Sequence, residues 1–192
     1  MRISVIIPVY NEASTIHQTL EDLLTRHQTD EVIVVDGGST DKTVALAKKW
    51  TSVLQTGKGR ARQMNRGAEE ATGDVFLFLH ADTHLPVEGL ALIREVIAKG
   101  AKAGRFRMKF DQRDWLLRFY ESYTRFHFFS YGDQGFFVTR ELFNRLGGYR
   151  EDVRFEVIDI YKRLLQRTNP VIVNNVVMTS ARRFCGVGCL KQ

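Results

Sequence analysis

The sequence predicts an α/β chain with a doubly wound, mostly parallel sheet, in a single domain spanning residues 1–192. Three observations carry that prediction. Short apolar runs alternate with stretches of helical period through the first hundred residues. Three of the runs break abruptly into polar and acidic residues: Ile6-Ile7-Pro8-Val9-Tyr10-Asn11-Glu12, Val34-Val35-Asp36-Gly37-Gly38-Ser39-Thr40-Asp41, and His80-Ala81-Asp82-Thr83 after Val75-Phe76-Leu77-Phe78-Leu79. Parallel sheets bind ligands outside the carboxyl ends of their strands, so these breaks predict one ligand-binding edge.

Residues 3–9 read as a buried strand, because Ile3, Val5, Ile6, Ile7 and Val9 leave almost no polar face. A helix follows over about 13–26, with Ile16, Leu20, Leu23 and Leu24 at helical spacing. Residues 31–35 are the second strand, and Ser39 or Thr40 is placed to cap a helix over about 41–49. Val53-Leu54 is a short third strand. Residues 60–71 read as a helix stopped by Thr72-Gly73-Asp74, and 75–79 as the central strand. Pro86 opens a helix running to about Lys99. Beyond residue 100 the alternation fades. Residues 106–110 and 136–138 read as strands, and 156–166 as a helix with Ile160, Leu164 and Leu165 on one face. Residues 112–131 carry Trp115, Phe119, Tyr120, Tyr123, Phe126, Phe128, Phe129 and Tyr131. They are expected to pack a helix into the core, with a binding surface as the alternative.

Composition is that of an ordinary soluble globular chain, 44% hydrophobic and 26% charged. No apolar stretch approaches the ~20 residues that cross a bilayer. The first apolar run ends at Pro8 and enters Asn11 and Glu12, unlike a secretion signal, so a cytoplasmic location is expected. The net charge of +6 gathers at Lys58, Arg60, Arg62 and Arg66, at Lys102, Arg105, Arg107 and Lys109, and at Arg182 and Arg183. Beyond a solvated surface, such clusters suit a small diphosphate or an anionic membrane surface. No nucleic-acid module accompanies them, and no nucleic-acid partner is expected. Cys185 and Cys189 read as incidental thiols.

The first strand–helix turn lacks glycine, which argues against a G-x-G-x-x-G dinucleotide turn. Gly57-Lys58-Gly59 does not complete a phosphate loop, since Arg60 stands where Ser or Thr is required. Tyr10 can stack on a base and Glu12 can accept from a ribose or base; an ordinary strand–helix loop is the alternative. Asp36 can accept a base N–H or simply cap the Gly37-Gly38 turn. In an extended chain residues i and i+2 share a side, so His80 and Asp82 can face one ligand. Asp82 is a hard oxygen donor suited to Mg2+ or Mn2+, and His80 suits Mn2+ better.

Together the stretches IIPVYNE, VVDGGSTDKT, GKGRARQMNRGAEEATGD, FLFLHADT, GDQGFFVTRELFNRLGGY and TSARRF resemble glycosyltransferase family 2, whose members have the GT-A fold and bind nucleotide-diphosphate sugars. They look closest to a compact bacterial subfamily associated with arsenosugar biosynthesis. The resemblance runs from Ile6 to Phe184. It implies a nucleotide-sugar-binding half over 1–100 and an acceptor half over 101–192, with Mn2+ or Mg2+ as cofactor. Pro8, Tyr10, Glu12 and Asp36 would hold the nucleoside, and Arg60, Gln63 and Asn65 would lie near the diphosphate or sugar. Asp82 matches the second Asp of the DxD metal motif, with His80 in place of the first and Ala81 between them at the nucleotide sugar. Gly132-Asp133-Gln134-Gly135 would sit beside donor sugar and acceptor. The acceptor would be a small or lipid-linked hydroxyl compound, with peripheral membrane contact.

Two departures stand out. The family base is the Asp of a Glu-Asp pair after a Leu-Gly-Gly-aromatic turn, here Leu146-Gly147-Gly148-Tyr149. Without gaps the pair falls on Glu156-Val157, and Val157 accepts no proton; Glu151-Asp152 lies five residues too early. Glu156 or Asp133 would then serve as base, with Asp159 a weaker third. The family also continues into further helical sequence, whereas eight residues follow Phe184 here. The expected function is metal-dependent, inverting sugar transfer from a nucleotide-diphosphate sugar to a hydroxyl. The alternative is a catalytically impaired sugar-nucleotide-binding protein. A nucleotidyltransferase is disfavoured, because its Gly-rich basic first loop is not Pro8-Val9-Tyr10-Asn11-Glu12.

Overall fold

The first strand, β1 (Ile3–Val9), is buried on both faces, and its alternate side chains feed two separate cores. Ile3, Val5, Ile7 and Val9 point into one, and Ile6 into the other. The computed structural model describes residues 1–27, 29–112, 115–123 and 134–182. The elements that follow in the first half are α1 (Ile16–Arg26), β2 (Glu31–Asp36), α2 (Thr43–Ala47), β3 (Val53–Gln55), α3 (Arg60–Glu70), β4 (Val75–Phe78), β5 (Thr83–His84) and α4 (Gly89–Ala98). The second half adds β6 (Ala103–Phe110), α5 (Trp115–Tyr123), β7 (Phe136–Thr139), α6 (Arg140–Arg145), α7 (Glu156–Leu165) and β8 (Val171–Thr179).

The strands form one sheet in the order β3-β2-β1-β4-β7-β6-β8-β5. β3, β2, β1 and β4 run parallel; β7 runs antiparallel to both β4 and β6, β8 parallel to β6, and β5 antiparallel to β8. The expected α/β fold with a mostly parallel sheet is therefore present. One face packs Ile16, Leu20 and Leu23 of α1 with Leu90 and Ile93 of α4. The other packs Met64 and Ala68 of α3 with Phe143 of α6 and Ile160 and Leu164 of α7. Gly67 lets α3 lie on the sheet: a Cβ there would stand 2.5 Å from Ile6 Cγ2 and 3.1 Å from Val35 Cγ2. Among the described residues no helix is long and apolar enough to cross a membrane.

Several elements differ from the sequence reading. α2 starts at Thr43, after Lys42, so neither Ser39 nor Thr40 caps it; their loop is tied to Asn11 instead. β5, α6 and β8 were not foreseen. In β8 the ladder to β6 jumps from Phe106↔Val173 to Arg107↔Val176, leaving the exposed Asn174-Asn175 as a bulge that splits the strand's apolar pattern. In α5 Leu117 is buried, but Trp115 is 79% and Phe119 56% exposed, so these two rings do not join the core as expected. Phe126, Phe128, Phe129 and Tyr131 lie outside the described residues.

Candidate active site

The loops after β1 and β2 are laced together by side chains. Asn11 adopts a left-handed backbone (φ 54°), a conformation that Asn tolerates better than most residues. Its N–H donates to Ser39 Oγ at 2.9 Å, and its Oδ1 accepts from Thr40 N at 2.9 Å. Glu12 N donates to Thr43 Oγ1 at 2.7 Å. Asp36 is 1% exposed, and its carboxylate accepts from Gly38 N at 3.0 Å and Ser39 N at 3.1 Å. The capping use of Asp36 is thus real, and a carboxylate has further lone pairs for a ligand. From α3, Gln63 Nε2 donates to Val9 O at 2.7 Å and Val35 O at 2.9 Å, pinning together the ends of β1 and β2.

A cleft of about 340 Å³ opens on this edge, lined by Pro8, Val9, Tyr10, Glu12, Lys58, Gly59, Arg60 and Gln63. Lys58 Nζ lies 4.2 Å from the Tyr10 ring centroid, so one aromatic face already carries a cation. Arg60, the first residue of α3, also lines a neighbouring cleft of about 160 Å³ with Lys58, Arg62, Glu151 and Glu156. Its Nη1 is 3.5 Å from Glu156 Oε1. Arg60 therefore joins the larger cleft to the only candidate base the structure brings beside it among the described residues, Glu156 in the first turn of α7.

The other proposed site residues fall into clear places. Asn65 is turned to the Gly147-Gly148 turn, where its amide pairs with the Tyr149 backbone. Ala81 is buried, and its carbonyl accepts from Thr19 Oγ1 at 2.7 Å. Gln134 is fully buried just ahead of β7. Val157 packs in the second core with Ile160, and Asp159 is held by Arg163 at 2.7 Å and Arg150 at 3.5 Å. Asp133 lies outside the described residues. Burial first, and the Glu156 carboxylate second, push the Tyr149 phenol well above its ordinary range, so it is neutral beside Glu156.

His80 and Asp82 are both buried, but β4 ends at Phe78 and the chain turns, with Thr83 N donating to His80 O at 3.1 Å. The alternation of an extended strand, from which a shared side was expected, does not extend to them. What does meet Asp82 is a residue for which no role was foreseen. Arg182, just past β8, donates Nη2 to Glu12 Oε2, Nε to Asp82 Oδ2 at 3.3 Å and Nη1 to Ser14 Oγ at 2.8 Å. Burial opposes the guanidinium's charge, but Glu12 and Asp82 outweigh it and hold Arg182 above its ordinary range. Its sequence signal was its place in the matched stretch TSARRF.

This arrangement fits a divalent cation. Two hard carboxylates already converge on one positive group, as a bridging cation requires. Among the described residues no group of three or more His, Cys, Asp or Glu forms a self-sufficient cage. Such a cation would draw further ligands from a bound diphosphate or water.

Comparisons with known proteins address the family and the fold. The Glycosyl transferase family 2 model matches residues 4–154. The chain is 35% identical over 114 residues to the dolichol-phosphate mannosyltransferase of Pyrococcus furiosus, covering 53% of this chain and 31% of that protein. It is 33% identical over 89 residues to the poly-beta-1,6-N-acetyl-D-glucosamine synthase of Staphylococcus aureus, covering 42% and 22%. The chain thus spans at most about a third of the length of these curated relatives. Two solved structures share the fold. One is the mannosyltransferase PcManGT from Pyrobaculum calidifontis in complex with GDP-Man and Mn2+ (TM-score 0.75, 22% identity, 92% of this chain and 56% of that one). The other is S. aureus TarS 1-349 in complex with UDP-GlcNAc (TM-score 0.75, 20% identity, 94% and 58%).

Proposed function

The chain belongs to glycosyl transferase family 2 and has the GT-A fold, and from that premise we propose that it transfers a sugar from a nucleoside-diphosphate sugar to an acceptor hydroxyl with inversion. The observation that carries the reading is that Arg182 ties Glu12, which lines the cleft edged by Lys58 and Arg60, to Asp82 from the loop after β4. Acidic groups for a cation and basic groups for a diphosphate stand at one sheet edge, as a nucleotide sugar requires.

In this reading Tyr10, Pro8 and Asp36 take the nucleoside, while Arg60 and Lys58 offset the diphosphate charge. Asp82, with His80 nearby in sequence, holds Mn2+ or Mg2+, which when bound would stabilise charge on the departing diphosphate. Glu156 accepts the acceptor's O–H proton as that oxygen bonds to the anomeric carbon and the bond from that carbon to the diphosphate breaks. General-base help of this kind is worth ~10²–10⁴-fold. The alternative, a sugar-nucleotide-binding protein with impaired turnover, is favoured by one observation: the side chain of Val157, which the ungapped register sets at the family base position, lies in the apolar core.

A thermal-shift screen of UDP, GDP, ADP and CDP, with and without Mn2+, tests the donor site. A ligand at a hundredfold excess over its dissociation constant stabilises by about 2.7 kcal/mol. A shift with one nucleotide that needs Mn2+ and is lost in Asp82→Ala is the expected result. No shift with any of the four overturns the reading. Glu156→Gln then separates the two alternatives. Loss of transfer with nucleotide binding intact assigns the base, and no transfer by the unmodified protein supports the impaired form.

A further inference from the structure

One nitrogen of Arg182 lies between the two acidic groups of the site. Nη2 bonds Glu12 Oε2 and is 3.3 Å from Asp82 Oδ2, while Nε reaches Asp82 Oδ2 and Nη1 reaches Ser14. A divalent cation binds carboxylate oxygens at roughly 2.0–2.2 Å. A cation that bridges these two oxygens must therefore take the place of that nitrogen. We propose that Arg182 is an internal counter-ion that competes with the divalent cation for Glu12 and Asp82, so that cation and nucleoside diphosphate bind as a coupled pair. The inference rests on the reading of Asp82 as a cation ligand, and adds the residue that sets when the cation can enter.

The coupling follows from charge. Two carboxylates and one guanidinium carry a net charge of about −1, and the guanidinium satisfies both acids without ligand. Exchange for a divalent cation leaves a displaced guanidinium beside a dication, an unfavourable pairing at short range. A diphosphate relieves it by adding negative charge next to both. Cation affinity is then low alone and rises when the nucleotide is present.

The backbone around Arg182 makes this a side-chain exchange. Ser180 N donates to Asp82 O at 3.2 Å, and Ala181 N to Asp111 Oδ1 at 2.9 Å, so the chain leading into Arg182 is tethered. The Arg182 side chain is itself 32% exposed and has an open side through which to swing out.

The test is Mn2+ binding, followed by the electron paramagnetic resonance signal of the free ion, with no nucleotide and then with UDP or GDP. Arg182→Ala is expected to bind Mn2+ alone at least tenfold more tightly than the unmodified protein. Arg182→Lys, which keeps the charge but not the planar fork, should lie between them. The nucleotide should tighten Mn2+ binding less in Arg182→Ala than in the parent. Should Arg182→Ala fail to fold, Arg182→Gln, which keeps hydrogen-bond donors without charge, carries the same expectation. Unchanged or weaker Mn2+ binding in a folded variant overturns the proposal, since a merely structural arginine would lower affinity on removal. Asp82→Ala separates the two levels: if the parent's Mn2+ binding does not need Asp82, the site reading itself fails. If it does, and the Arg182 variants gain nothing, only the counter-ion role falls.

Discussion

Asn65 and Tyr149 exchange two hydrogen bonds: Asn65 Nδ2 donates to Tyr149 O at 2.8 Å, and Tyr149 N donates to Asn65 Oδ1 at 2.9 Å. The side chain behaves like a strand residue, binding α3 to a turn that two glycines at positive φ (74° and 68°) bring close to it. Leaving a buried amide unpaired costs about 1–3 kcal/mol. Asn65→Ala should therefore lower stability by about 2–3 kcal/mol in urea unfolding. Asn65→Asp, which keeps only the acceptor, should lose about half as much. A larger effect on nucleotide affinity than on stability would place Asn65 at the ligand instead.

Gly67→Ala sets two terms against each other. Alanine favours a helix interior over glycine by about 1 kcal/mol. The added Cβ, 2.5 Å from Ile6 Cγ2, has no room, and overpacking costs about 1–3 kcal/mol. The clash should win, and the melting temperature should fall. A rise would mean that α3 can lift from β1 at little cost.

Val157→Asp tests the missing base. The position is buried in an apolar cluster with Phe136, Ile160 and Tyr161. A carboxyl group there without a partner should cost on the order of 3 kcal/mol, with no gain in sugar transfer. A stable variant with raised transfer would instead reveal a base site lost by substitution.

Acid stability should fall in two steps. His27 is buried, and its Nδ1 has no hydrogen-bond partner among the described residues. Burial lowers its pKa below the ordinary 6.5, against the pull of Asp22. The unfolded chain therefore binds the proton more readily, so stability drops as pH falls below about 6.5 and levels off below the folded-state value. His27→Gln should remove that step. The second step lies below the ordinary carboxylate range. Burial acts against charge in Glu31 and Asp41, but hydrogen bonds from Ser4 and Thr72, and from Thr43, lower both pKa values. Their stabilisation is complete above the unfolded values and is lost as pH falls through the folded ones. Melting curves from pH 7.5 to 3 would show one step or two.

Asp36→Ala should weaken nucleotide binding by about 1–3 kcal/mol if the carboxylate pairs with a buried base group. It should also loosen the loop whose Gly38 and Ser39 amides it accepts. Isothermal titration of the nucleotide found by the screen separates the two. Unchanged affinity with reduced stability would leave Asp36 with the turn alone.

The first half of the fold was legible because its strands are unbroken apolar runs, such as Val75–Phe78, and its longer helices show a clean apolar face, such as Ile16, Leu20 and Leu23. β8 was not, because Asn174-Asn175 interrupts it at a bulge. α6 was not, because six residues capped by Thr139 are too few to show a period. Glu12, Asp36 and Asp82 could be named because each stands where an apolar run breaks into polar residues. Arg182 could not, because its partner Glu12 lies 170 residues away, and local pattern carries no information about such pairs. The strand alternation invoked for His80 and Asp82 does not reach them, because the strand ends at Phe78.

The same separation has a consequence for the order in which the molecule is made. β1 to β4, with α1 and α3, need only the first 78 residues, so their contacts can close while the rest of the chain is still being synthesised. The Glu12–Arg182 pair closes the longest loop in the molecule's site, and β8 must first dock beside β6 to bring Arg182 there. Until then two acidic groups stand at an open edge without their guanidinium. On the counter-ion proposal, a chain in which β8 has not yet docked presents Glu12 and Asp82 to divalent cations without a competing guanidinium.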